Sequence, residues 1–357
     1  MPPMFRRVLR APGRLAAAIG RSFNPVVWRR RGLIAGSATA LVALVIAIGV
    51  LGWWWSTEPA AFDVRANAET MAKENGEQVV TGYVTTATLI RAVDTLLHKP
   101  GGYLYNDMLP PGVLMDNMPS WEYGALVQMR DLARAMRNEM SRSQSQGRED
   151  PDLAQAEPRL NFNANSWLFP STESEYKDAL NYLRSYRDRL ADPDQPDAQF
   201  YARADNLRAW LEIVEKRLGG IAQRLSASVG EWRVNTDLAN SPGAKQSTPT
   251  SNEVHAQTPW LQIDNEFYHA RGACWALLHF LRAARVDFSD VLDDKHAGAS
   301  LDQVIRALEA TQRPMGSPIV LNGGGFGLFA NHSLVMASYI SRADAALIDL
   351  RRLLQEG

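Results

Sequence analysis

LIAGSATALVALVIAIGVLGWWW, residues 33–55, carries no charged side chain over 23 positions and closes on three tryptophans. A helix rises about 1.5 Å per residue, so this stretch reaches roughly 34 Å, against a bilayer hydrocarbon core of about 30 Å. A helix also pairs its own backbone N–H and C=O groups, which lipid demands. Gly36, Gly49 and Gly52 are no obstacle, because glycine is common in such helices. Trp53, Trp54 and Trp55 carry apolar rings with a polar N–H, which suits the lipid–water boundary. A cleaved signal peptide has an apolar region of about 7–15 residues and a small-x-small cleavage site. Here the apolar run is longer, and Ser56-Thr57-Glu58-Pro59 is a poor site. The stretch is therefore predicted to be a retained transmembrane helix.

Charge sets its orientation. Residues 1–32 contain eight arginines and no acidic residue, and Arg29, Arg30 and Arg31 stand directly at the membrane edge. Glu58 and Asp63 follow the tryptophans. The positive-inside rule places residues 1–32 in the cytoplasm as a basic arm and residues 56–357 in the periplasm. The whole chain has 38 basic and 39 acidic residues, so removing the eight leader arginines leaves 30 against 39 beyond them. That balance excludes nucleic acid as a partner, since phosphate binding needs clustered Lys and Arg. Cys274 is the single cysteine, which rules out an internal disulfide. With six scattered histidines and one thiol, no metal or cofactor is expected.

Beyond residue 56, apolar residues recur at spacings of three and four, the pattern of helices with one buried stripe. The runs are 79–97, 126–140, 176–190, 200–232, 263–284, 301–308 and 336–354. The third opens on Thr172-x-x-Glu175, a capping-box pattern. In the fourth, Gly219-Gly220 invites a kink, at about 1 kcal/mol per glycine relative to alanine. Strand signals are sparse. The expected fold is all-α: one transmembrane helix followed by a periplasmic helical bundle. Residues 141–159 read as a polar linker, and residues 235–258, rich in Ser, Thr, Asn and Pro, as a flexible insertion within one domain.

Three features have chemical interest. Glu266-Phe-Tyr-His269 has the Glu-x-x-His spacing of di-iron bundles, but the chain holds no second copy, and a surface pair on one helix is the simpler reading. The glycine-rich segment Asn322 to Asn331 lacks the Lys and Ser/Thr of a phosphate loop, so Phe326 and Phe329 point to packing or partner contact. Residues 99–120 hold four prolines and three glycines, yet are too apolar to be free. Tyr103, Tyr105 and Met115 mark them as a second contact surface. Asp107 in this loop, with Glu266 and His269, would be the catalytic candidates if facing carboxylates hydrolysed cell wall or lipid.

GGYLYNDMLPPGVLMDNMPSWEYGAL, NFNANSWLFPSTESEY, DNEFYHARGACWALLHFL and SPIVLNGGGFGLFANHSLVMASYISRADAALIDLR together resemble an uncharacterised family of proteobacterial membrane proteins known only as a domain of unknown function. The resemblance covers the chain from the membrane helix onward. It implies a Gram-negative inner membrane and a periplasmic domain, and it brings no activity, cofactor or catalytic residue. The expected function is that of an envelope adaptor or scaffold, bound to the lipid bilayer and to an envelope protein or a second copy. A periplasmic hydrolase is the competing expectation.

Overall fold

The computed structural model describes residues 25–142, 147–194, 197–234, 253–325 and 327–356. Helix α1 spans Pro25–Trp55 and is broken at Gly32 (φ 77°, ψ 161°), a conformation open to glycine but strained for residues with a Cβ. From Ala35 to Trp55 the helix is long and apolar enough to cross a membrane, with mean hydropathy 2.2 and few of its residues buried by protein. A membrane anchor and a signal sequence share that description. Arg29, Arg30 and Arg31 lie on the short segment before Gly32.

The helical domain follows. In chain order it comprises α2 (Val64–Asn75), α3 (Tyr83–His98), α4 (Asn117–Ala135), α5 (Leu153–Leu160), α6 (Thr172–Ala191) and α7 (Ala204–Ser226). After these come strands β1 (Glu231–Val234) and β2 (Glu253–Ala256), then α8 (Ile263–Asp287), α9 (Ser289–Asp294), α10 (Gly298–Thr311) and α11 (His332–Gln355). The chain is thus a helical domain behind one apolar N-terminal helix, with a single two-stranded hairpin among the described residues.

Helix α8 is the axis of the core. Phe267, Ala270, Cys274, Leu277 and Leu281 form its expected stripe, but Trp275, Leu278 and Phe280 on other faces are buried too. Every residue from Ala270 to Leu281 is buried, so the middle of α8 is enclosed on all faces. Its closest neighbour is α4, and two glycines permit the approach. A Cβ on Gly124 would collide with the His269 carbonyl, and one on Gly272 with the Trp121 carbonyl. The pairing 124–269 and 121–272 makes the two helices antiparallel. On the other flanks α11 lies against α7 and α10, and α5 against α6.

The segment after α1 is clamped along α8. Arg271 donates to Glu58 at 2.6 Å and to the carbonyls of Thr311 and Arg313. Further along, the Phe62 amide donates to His279 Nε2 at 2.9 Å, and the two rings stack with centroids 4.0 Å apart. His279 Nδ1 then donates to the Trp275 carbonyl at 2.7 Å, which fixes a neutral imidazole. Burial pushes its pKa down to about 4.

The structure departs from the sequence reading in four places. The expected linker, residues 141–159, runs from residue 153 into helix α5, because Leu153, Ala156 and Leu160 are buried and α5 lies against α6. Ser171, not Thr172, caps α6, accepting from the Ser174 amide, while the Thr172 hydroxyl donates to the Asn163 carbonyl. Helix α7 runs unbroken through Gly219-Gly220 and ends at Ser226. Trp232 therefore lies on β1, paired with His255 of β2. Of the expected insertion, residues 235–252 lie outside the described residues and 253–256 form that strand.

Candidate functional site

Helices α4, α7 and α8 line an open cavity of about 480 Å³, with Gly220 of α7 in its wall. Tyr105, Tyr123, Arg217, Arg224, Glu266 and His269 supply its chemistry. Glu266 and His269, three residues apart on α8, both reach it, and Arg224 of α7 spans them. Its Nε donates to Glu266 at 2.9 Å, and Nη2 lies 3.5 Å from His269 Nδ1. Arg217, about two turns away on α7, donates to Asp131 at 2.7 and 3.1 Å. Tyr105 stacks on Tyr123 at 5.1 Å, and Tyr123 borders His269 at 6.1 Å. Burial lowers the His269 pKa to about 4, and the charges of Arg224 and Arg217 act in the same direction. A neutral imidazole beside two arginines, each held by a carboxylate, makes the pocket polar. Among the described residues no group of three His, Cys, Asp or Glu side chains could hold a metal.

Arg224 is the residue that couples this set. Replacing it with alanine removes a charge that opposes imidazolium, so the His269 pKa should rise towards the ordinary value near 6.5. Titration of the His269 ring by NMR checks this. An unmoved pKa would mean that burial alone sets it. Stability should change by only about 0.2–1 kcal/mol, because the Arg224–Glu266 pair is partly exposed.

Asp107 lies elsewhere. Its carboxyl adjoins Gly112, and burial, followed by the charge of Glu173, raises its pKa. It does not line the cavity with Glu266.

The loop between α3 and α4 is held from below. Glu122 of α4 is fully buried, takes the amides of Leu104 and Tyr105 at 2.8–3.0 Å, and pairs with Lys99 at 2.6 Å. Tyr103 is buried, with its hydroxyl donating to the Ala164 carbonyl, and Tyr105 and Met115 pack against the core. The loop's exposed apolar side chains are instead Met108, Leu109, Val113 and Leu114. In the sequence Glu122 stands out only as one of the acidic residues in or beside the 99–120 loop, with Asp107 and Asp116, where a carboxylate reads as solvated.

A second apolar surface gathers at the hairpin end. The Asn322 side chain donates to the Ser228 carbonyl and the Thr258 amide to the Ala227 carbonyl, so three segments meet there. They expose Trp232, Trp260, Leu261, Ile319, Leu328 and Phe329. Phe326 lies outside the described residues.

The fold and its sites define a helical-bundle protein on one apolar N-terminal helix, with a polar pocket in the bundle and apolar surfaces at its edges. The chain belongs to DUF2333, a family of uncharacterised proteins conserved in bacteria, which matches residues 28–357. No curated protein and no solved structure matches it.

Proposed function

We propose that residues 33–55 hold this protein in the inner membrane, N-terminus in the cytoplasm, and that its periplasmic domain is an adaptor that binds another envelope protein. The arginines at 29–31 and the acidic residues after Trp55 support the orientation. The observation that carries the function is the hairpin-end surface. Exposed large apolar residues are ordinary when scattered, but carried on segments that are joined to one another they mark an interaction site. Trp260, Leu328 and Phe329 are each more than two-thirds exposed there, on segments that hydrogen bonds stitch together. The hydrolase reading has less support. Two carboxylates near the cavity, Glu266 and Asp131, each carry an arginine, whereas glycoside hydrolysis needs a carboxylic acid and a carboxylate across the scissile bond.

A photo-crosslinking residue placed at Trp260 or Phe329 in native membranes tests the adaptor reading. The expected result is one discrete adduct with a second envelope protein, absent when the probe sits at exposed Lys177. An adduct at twice the chain mass would replace the foreign partner with a second copy. No protein adduct, together with binding to purified peptidoglycan, would favour the hydrolase.

A further inference from the structure

The apolar loop between α3 and α4 touches the last turn of the membrane helix at two points. Gly52 faces Pro111, close enough that a Cβ there would lie 3.4 Å from the proline Cβ. The Trp55 ring covers Gly101, where a Cβ would come within 2.7 Å of it. The start of the loop is also held, since Lys99 binds the Gly102 carbonyl and Glu122 the Leu104 and Tyr105 amides. Its depth relative to α1 is therefore set by the fold. Gly52 lies three residues inside Trp55, about 4.5 Å along the helix. Whatever touches Gly52 shares its depth.

From Met108 to Met115 this loop reads MLPPGVLM, without a charge. Leu109 and Leu114 are 76% and 73% exposed, and Met108 and Val113 about half. A second uncharged loop stands beside it. The Asn106 side chain donates to the Ser166 carbonyl at 2.8 Å and to Glu173 at 3.0 Å, and Tyr103 donates to the Ala164 carbonyl. That loop turns Trp167, Leu168 and Phe169 outward, with Phe169 wholly exposed. Two neighbouring loops thus present seven large apolar side chains beside the tryptophan end of the helix.

We propose that these loops, residues 108–115 and 166–169, insert into the headgroup–acyl boundary of the bilayer that α1 crosses, so that the domain is seated on the membrane as well as tethered to it. The proposal rests on the reading of residues 33–55 as a span. Loops cannot enter the hydrocarbon core, where their free backbone groups would go unpaired. Burial of the side chains by about 5–10 Å in the interface carries no such penalty, and Trp167 has the amphipathic ring that this zone favours. Held at two additional points, the domain keeps a fixed face towards solvent, and the hairpin-end surface a fixed height above the lipid.

The test is the full-length protein in vesicles of neutral and anionic phospholipid, with the dye NBD on single introduced cysteines. Native Cys274 is buried and its thiol is pushed up to about 12, so it stays unlabelled. Labels at Leu109→Cys, Leu114→Cys and Leu168→Cys should show blue-shifted emission and lose intensity to lipids spin-labelled near the headgroup. A label at Val45→Cys should be quenched by lipids spin-labelled deep in the chains, and one at exposed Asp290→Cys by neither. Quenching at 45 with water-like emission at 109, 114 and 168 overturns the seating and leaves the span intact. Loss of quenching at 45 as well overturns the span and the seating together.

Discussion

Replacing Lys99 with methionine is expected to destabilise the domain by about 3–5 kcal/mol at pH 8, the usual penalty for stranding one partner of a buried ion pair. Neither side chain of the Lys99–Glu122 pair has access to water. Without the ammonium, a carboxylate remains inside the protein with only the Leu104 and Tyr105 amides for compensation. The effect should depend on pH with a definite sign. Burial, opposed by Lys99, raises the Glu122 pKa from 4.5 to about 7. A carboxyl that holds its proton more tightly when folded contributes stability that is full below about 4.5 and fades as the pH rises through about 7. Removing Lys99 takes away the influences that pull the pKa down, so the deficit of the variant should be largest at pH 8 and shrink towards pH 5. Adding Glu122→Gln should recover much of the loss at pH 8. Urea unfolding of the detergent-solubilised chain at both pH values measures this. An equal deficit at pH 5 and 8 would show that the buried charge is not the cause.

The α4–α8 crossing should be nearly as sensitive. A methyl group at Gly272 meets the Trp121 carbonyl, and one at Gly124 the His269 carbonyl. Both obstacles are backbone, so neither can swing aside and the helices have to part. Gly272→Ala should therefore cost about 3 kcal/mol, the upper end for overpacking, and lower Tm by roughly 6–12 °C. The contrast is Gly220→Ala on α7, where the nearest atom is the Arg224 side chain at 3.6 Å. There the gain in helix propensity, about 1 kcal/mol, should appear undiminished. Thermal melting of the two variants side by side decides the matter. Equal shifts would mean that the crossing has slack that its geometry denies.

Much of the fold is legible in the spacing of apolar residues. The run 263–284 is α8 from its first residue, the run 336–354 lies within α11, and Tyr176 to Leu190 lies within α6. Helix α5 leaves little trace in the sequence, because only Leu153, Ala156 and Leu160 show its period, among polar neighbours. The hairpin is masked because Trp232 continues the helical spacing of α7 by coincidence. In the pocket, the Glu266–His269 spacing is legible, but Arg224 is not, because a pairing 42 residues away leaves no local trace. His279 reads as an outward-facing residue on a helix with a single stripe; it is buried because α8 is enclosed on every side and the segment after α1 covers it. Long-range polar pairs of this kind depend on tertiary neighbours that no periodicity records.

The most direct test of a membrane-held domain outside the cytoplasm combines intact mass with protease access. Chain purified from bacterial membranes should retain residues 33–55. Protease added to spheroplasts should digest the part beyond Trp55 and leave an N-terminal fragment in the membrane. A mature chain that begins after Trp55 and washes off in salt, or a C-terminal part protected until the inner membrane is broken, would contradict that arrangement.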